Sequence, residues 1–108
     1  MTGRPVVVGI DASDAAISAV RFAADEAHLR SAPLRIVHAT PHSGHRGVAG
    51  APAAELPRAR GATAQAYTVA VHTAPSVAVS TEVVPGDPVT ALLRAAQEAQ
   101  LVVLGITT

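Results

Sequence analysis

At 108 residues, 49% of them hydrophobic and 15% charged, the chain is too apolar for a disordered polypeptide and has the length of one domain. Its eight basic residues, all Arg, balance eight acids and are scattered from Arg4 to Arg94, so there is neither a polybasic membrane anchor nor a basic stripe for nucleic acid. Cysteine is absent, which excludes disulfides, thiolate metal sites and a cysteine nucleophile.

The opening MTGRPVVVGID is too short in apolar residues for a signal peptide, and no apolar run reaches membrane-spanning length; a cytoplasmic location is expected. With Phe22 and Tyr67 as the only aromatics, the core must be built from Ala, Val, Leu and Ile, which suits helices packed closely on a sheet.

Residues 5–10, PVVVGI, form a β-branched apolar run bounded by Pro5 and by Asp11 and Ser13, and read as a first strand. From Asp14 the spacing turns helical: Ile17, Val20, Ala24, Ala27 and His28 share a face, Ser13 is the expected N-cap, and Pro33 ends the helix near Ser31. Residues 34–39, LRIVHA, are a second strand. Residues 40–52, TPHSGHRGVAGAP, have the composition of a loop. An Ala-rich helix is expected from about Ala53 to Thr73, with Pro57 in its first turn and Gly61 weakening its middle. Residues 77–84, VAVSTEVV, are a third strand stopped by Pro85 and Gly86. Asp87 then sits as N-cap and Pro88 at the first helical position, ahead of Val89, Leu92, Leu93 and Ala96 at helical spacing. Residues 101–105, LVVLG, are a fourth strand.

Strands and helices thus alternate, which predicts an α/β fold: an open parallel sheet of four strands with helices on both faces, in one domain over residues 1–108. Ligands of such sheets sit beyond the carboxyl ends of the strands, so Gly9 to Ser13, His38 to Pro41, Val84 to Asp87 and Leu104 onward are the loops of interest. The first of them, GIDAS, lacks both the GxGxxG dinucleotide fingerprint and the GxxxxGK[ST] phosphate loop.

Over essentially its whole length the chain resembles the universal stress protein family. PVVVGIDASDAAISAVRFAADEA is similar to that family's first strand, acidic turn and first helix, LRIVHAT to its second strand, and VVPGDPVTALLRAAQEAQLVVLG to its third strand, GDP turn, following helix and fourth strand. The resemblance implies a sheet ordered 3-2-1-4-5, adenine-nucleotide binding in many members, and dimerisation. It assigns a tentative nucleotide site to Ile10 and Asp11, the acid near ribose, phosphates or metal, and to Ala39, whose backbone meets the adenine. Leu104 and Gly105 match the start of the family's phosphate motif, GxxG followed nine residues later by G[ST].

Beyond Gly105 only Ile106, Thr107 and Thr108 follow, and the motif's later glycines and hydroxyl residue have no counterparts. The expectation is therefore a C-terminally incomplete relative, non-catalytic and regulatory, with adenine-nucleotide binding lost or weakened. The alternatives are a weak adenine-nucleotide binder that keeps Asp11 and the backbone around Ala39, with Arg46 helping the phosphates, an ATP and Mg²⁺ binder that completes its phosphate site from a partner chain, and a slow ATP hydrolase. Without a further strand and helix, LVVLG becomes an exposed apolar edge, so a homo-oligomer or a protein partner covering that edge is expected, and neither a membrane nor a nucleic acid.

Asp11 as a ligand contact competes with Asp11 as a turn and capping acid. Asp87 and Ser13 read first as caps. His38, His42 and His45 invite a metal, but the loop between them holds no Asp or Glu and contains glycines, so no metal is assigned. HSGH at 42–45 matches a nucleotidyltransferase pattern but follows the wrong strand. Gly44, Gly47 and Gly50 read as loop, and His28 and His72 as surface or boundary positions. No paired carboxylates, Ser/His/Asp set or activated Lys is visible.

Overall fold

The structure, a computed structural model, describes residues 3–40 and 51–105. Its elements are β1 (Val6–Ile10), α1 (Ala15–Leu29), β2 (Leu34–Thr40), α2 (Ala51–Thr73), β3 (Val79–Pro85), α3 (Pro88–Ala96) and β4 (Leu101–Gly105). The strands are parallel throughout and ordered β3-β2-β1-β4, as the predicted alternation requires. Nothing in the described residues is a helix long and apolar enough to cross a membrane.

Successive residues of a strand point to opposite faces, and the apolar runs divide accordingly. Val6, Val8 and Ile10 of β1, with Leu34 and Ile36 of β2, form the main core against α1 and α2. That core meets the helices through small residues, Ala16, Ala19, Ala23, Ala24 and Ala27 of α1 and Ala66 and Ala70 of α2, which lets the helix axes lie close to the sheet. The opposite face is thinner: Val7 and Val37 pack on Ala95 of α3, with Val84, Ala99 and Val102 half-buried around them.

Three expectations change. The buried face of α1 includes Ala16, Ala19 and Ala23, while His28 is exposed and Ile17 half-buried, because the contact surface is set by small residues rather than by the largest side chains. α2 begins at Ala51 and carries Pro57 inside it. Proline forfeits one helical hydrogen bond and crowds the carbonyl four residues earlier, a cost the helix carries over a long Ala-rich span packed on β2 and β3. Of the apolar residues spaced along α3, Leu92 faces the sheet, where a Cβ on Gly9 of β1 would meet its side chain at 2.5 Å, but Val89 and Leu93 are 62% and 63% exposed, and Ala91 and Ala95 complete the buried face.

The element ends are closed locally. Beyond α1, Ser31 takes a left-handed φ of 53°, the chain turns, and Pro33 leads into β2, as its position predicts. Asp87 caps α3 as expected: its Oδ2 accepts from the Thr90 backbone N–H at 3.0 Å and from the Thr90 hydroxyl at 3.2 Å. Gln100 fastens the start of β4 to the chain before β1, its amide nitrogen donating to the Arg4 carbonyl at 2.6 Å and its backbone N–H to the Pro5 carbonyl at 3.0 Å.

Candidate functional site

In a parallel sheet, the chain leaves neighbouring strands in opposite directions at one point, and a crevice opens there beyond the carboxyl ends. Here that point lies between β1 and β4, since β1 continues through α1 to β2 on its other side. Strand register aligns Val83, His38, Ile10 and Gly105 in one row across the sheet. Asp11 follows Ile10 out of β1, Ala39 pairs with Val84 one position beyond His38, and Leu104 lies opposite Gly9 just before Gly105. The five predicted site residues, Ile10, Asp11, Ala39, Leu104 and Gly105, are therefore gathered at one end of the sheet.

Asp11 shapes the turn that leaves β1. Its Oδ1 accepts the Ser13 backbone N–H at 2.9 Å and also the Ser13 hydroxyl, an Asx turn that folds the chain back toward α1. Ser13 consequently does not cap α1. The N-cap is Asp14, whose side chain makes no capping hydrogen bond, because the Ser13 hydroxyl is spent on Asp11. Asp11 thus has the structural role that competed with the ligand role in the sequence.

Gly105 ends β4 against the start of α1. A Cβ placed there would lie 2.5 Å from the Ala19 Cβ and 2.9 Å from the Ala16 Cα, so only glycine lets the strand end come this close to the helix. Leu104 points to the opposite face and is 54% exposed on an edge strand. The turn after β3 is drawn into the same end of the sheet, where Gly86, at φ +125°, donates its N–H to the Thr40 carbonyl at 2.8 Å.

His38 is buried, at 7% exposure, and neither ring nitrogen has a hydrogen-bond partner among the described residues. It belongs to β2 rather than to a metal-binding loop. His42, His45 and Arg46 lie outside the described residues, as does the HSGH segment, and the described residues contain no group of three His, Asp or Glu suited to a metal. His72, exposed on α2, has its Nδ1 2.8 Å from the Thr68 carbonyl of its own helix.

The profile of the Universal stress protein family matches residues 3–107. The chain belongs to the universal stress protein family. Among curated proteins, Universal stress protein Rv2028c of Mycobacterium tuberculosis is 39% identical over 101 residues, which are 93% of this chain. The chain spans about a third of that relative's length, 36%. Among solved structures, the universal stress protein of Archaeoglobus fulgidus superposes with a TM-score of 0.74 at 27% identity, covering 94% of this chain and 74% of that one. A universal stress protein crystallised in complex with cAMP superposes with a TM-score of 0.71 at 29% identity, over 94% of this chain and 72% of that one.

Two features of this universal stress protein escape sequence reading. A cavity of about 160 Å³ beside the Asp11 turn is walled by Asp14 and Ile17 from the α1 side and by Arg58 and Gln65 from α2. Arg58, Ala62, Gln65 and Ala66 are spaced to share one helical face, but only the packing of α2 on α1 shows that this face meets Asp11. On the other face, Arg35 of β2 reaches Glu82 of β3 at 2.6 Å and Glu98 beyond α3 at 3.7 Å, partners 47 and 63 residues away that only the strand register brings together.

Proposed function

We propose that this universal stress protein is a regulatory module that binds an adenine nucleotide weakly, through its adenosine half, and does not turn it over. The observation that carries the reading is the gathering of Ile10, Asp11, Ala39, Leu104 and Gly105 at the switch point between β1 and β4. Ala39, half-buried at the end of β2, would place its backbone beside a base edge, and Asp11, at the turn leaving β1, lies at the same end of the sheet. The relative solved with cAMP, at 29% identity, supports an adenine nucleotide as the ligand class.

The phosphate side is what weakens binding. A phosphate cradle needs successive backbone N–H groups at a glycine-rich turn leading into a helix N-terminus. In the GxxG spacing that starts at Gly105, the second glycine position is occupied by Thr108. A second chain seated at the β4 edge is an arrangement that would supply further donors and restore tight ATP and Mg²⁺ binding. A regulatory rather than catalytic role is in keeping with an Asp11 carboxylate that accepts from the Ser13 N–H and hydroxyl to hold the turn.

Nuclear magnetic resonance tests the location. Adenosine 5′-monophosphate is expected to shift the amide signals of Ile10, Asp11, Ala39, Leu104 and Gly105 together and saturably. Shifts that map to another part of the molecule, or none at millimolar nucleotide, would contradict the proposal.

A further inference from the structure

On the face of the sheet away from α1 and α2 lies a cleft of about 210 Å³, between α3 and the pair β2 and β3. Its floor is aliphatic: Val37, which is buried, and Val84 from the strands, Ala91 and Ala95 from the helix. No aromatic ring lines it, as Phe22 and Tyr67 belong to α1 and α2 on the other face. The cleft therefore favours a slender aliphatic body over a stacked ring.

Four charges line the cleft: Arg35, Glu82, Glu98 and Arg94. Three of them cluster around Arg35. Arg35 donates to Glu82 at 2.6 Å and pairs with Glu98 at 3.7 Å, so its guanidinium is held between two carboxylates. Glu98, in the turn beyond α3, lies 3.7 Å from Arg35 and makes no ion pair with Arg94. Arg94, exposed on α3, has no ion pair or side-chain hydrogen bond among the described residues and lies beside the aliphatic floor.

From this complementarity we infer that the cleft between α3 and β2–β3 binds a short aliphatic carboxylate, the chain lying on Val37, Val84, Ala91 and Ala95 and the carboxylate on the Arg94 guanidinium. A planar guanidinium matches a carboxylate with two parallel hydrogen bonds. A cationic amphiphile of equal length would set its charge against Arg94 and have access only to carboxylates already engaged by Arg35. The Arg94 end of the cleft is on α3, away from the row of Ile10 and Gly105, whereas Val84 of its floor pairs with Ala39.

The test uses the whole chain and three probes of equal length: hexanoate, hexylammonium and hexanol. Amide signals of Val37, Val84, Ala91 and Ala95 are expected to shift saturably with hexanoate, at a dissociation constant of about 1 mM, in keeping with so small a ligand. The exposed Arg94→Gln replacement is expected to weaken hexanoate by about tenfold, the loss of one charge-assisted contact, and to leave hexanol unchanged. Amide signals of β1 and α1 report that the variant remains folded. No saturable shift with hexanoate in the parent chain, equal binding of hexylammonium, or unchanged hexanoate binding by Arg94→Gln would each overturn the assignment.

Discussion

Gly105 and Ala19 stand so close that a single Cβ on Gly105 would come within 2.5 Å of the Ala19 side chain. The end of β4 is thereby pressed onto the first turns of α1, and the candidate crevice between β1 and β4 takes its shape from that approach. Gly105→Ala must push against the Ala16 backbone as well as the Ala19 methyl, so shortening one side chain cannot relieve it. We expect a loss of about 1–3 kcal/mol, the usual range for overpacking, measured by urea denaturation. Unchanged stability would show that the strand end moves away from the helix at little cost.

Asp11 carries two roles that one pair of substitutions separates. Asn keeps the oxygen that accepts the Ser13 N–H, whereas Ala removes it. Asp11→Ala is expected to lower stability by about 1 kcal/mol, comparable to the loss of a capping oxygen, and Asp11→Asn to leave stability nearly unchanged. Both are expected to weaken nucleotide binding, because Asn offers an amide group in place of half the carboxylate. If Asp11→Asn binds nucleotide like the parent, the carboxylate serves the turn alone.

Asp87 is a simpler case. Its carboxylate accepts the Thr90 N–H at 3.0 Å, and Asp87→Ala leaves that donor to solvent. A loss of about 1 kcal/mol is expected in chemical denaturation. A negligible change would mean that α3 is held by Pro88 at its start and by the packing of Ala91 and Ala95.

The thinner face of the sheet leads to an expectation about association. Leu104 on edge strand β4 and Val89 and Leu93 on α3 are all more than half exposed. An apolar strand edge of this kind pairs readily with another chain. Sedimentation velocity should detect association that grows with concentration and falls on Leu104→Lys. A stable monomer at every concentration would contradict it.

Much of the fold is legible in the sequence because parallel strands read as short apolar runs: VVVGI, buried throughout, is the plainest, while LRIVHAT and LVVLG are legible from their β-branched centres. The Asp87-Pro88 start of α3 is equally plain, since cap and first-turn chemistry are local. What is not local is less visible. Pro57 argues for a helix start, yet the Ala-rich segment packs on β2 and β3 for long enough to contain it. Leu93 outranks Ala91 and Ala95 in hydrophobicity, yet it is 63% exposed while the alanines face the sheet.

The site shows the same division. Strand ends point to the loops, and the resemblance to the universal stress protein family singles out Ile10, Asp11, Ala39, Leu104 and Gly105 within them. The hydroxyl of Ser13 was assigned to the wrong partner, since Asx turn and N-cap use the same residue types two positions apart. Arg58 beside Asp11 and Arg35 between Glu82 and Glu98 depend on helix packing and strand register, which no short motif records.

The most direct test of the account is isothermal titration of the chain with AMP and with ATP and Mg²⁺, at concentrations where its oligomeric state has been measured. If the adenosine half supplies the binding, the two ligands bind alike, with dissociation constants of about 1 mM, roughly −4 kcal/mol. ATP binding at about 1 µM, roughly −8 kcal/mol and far tighter than AMP, would contradict it and show that a complete phosphate cradle is assembled.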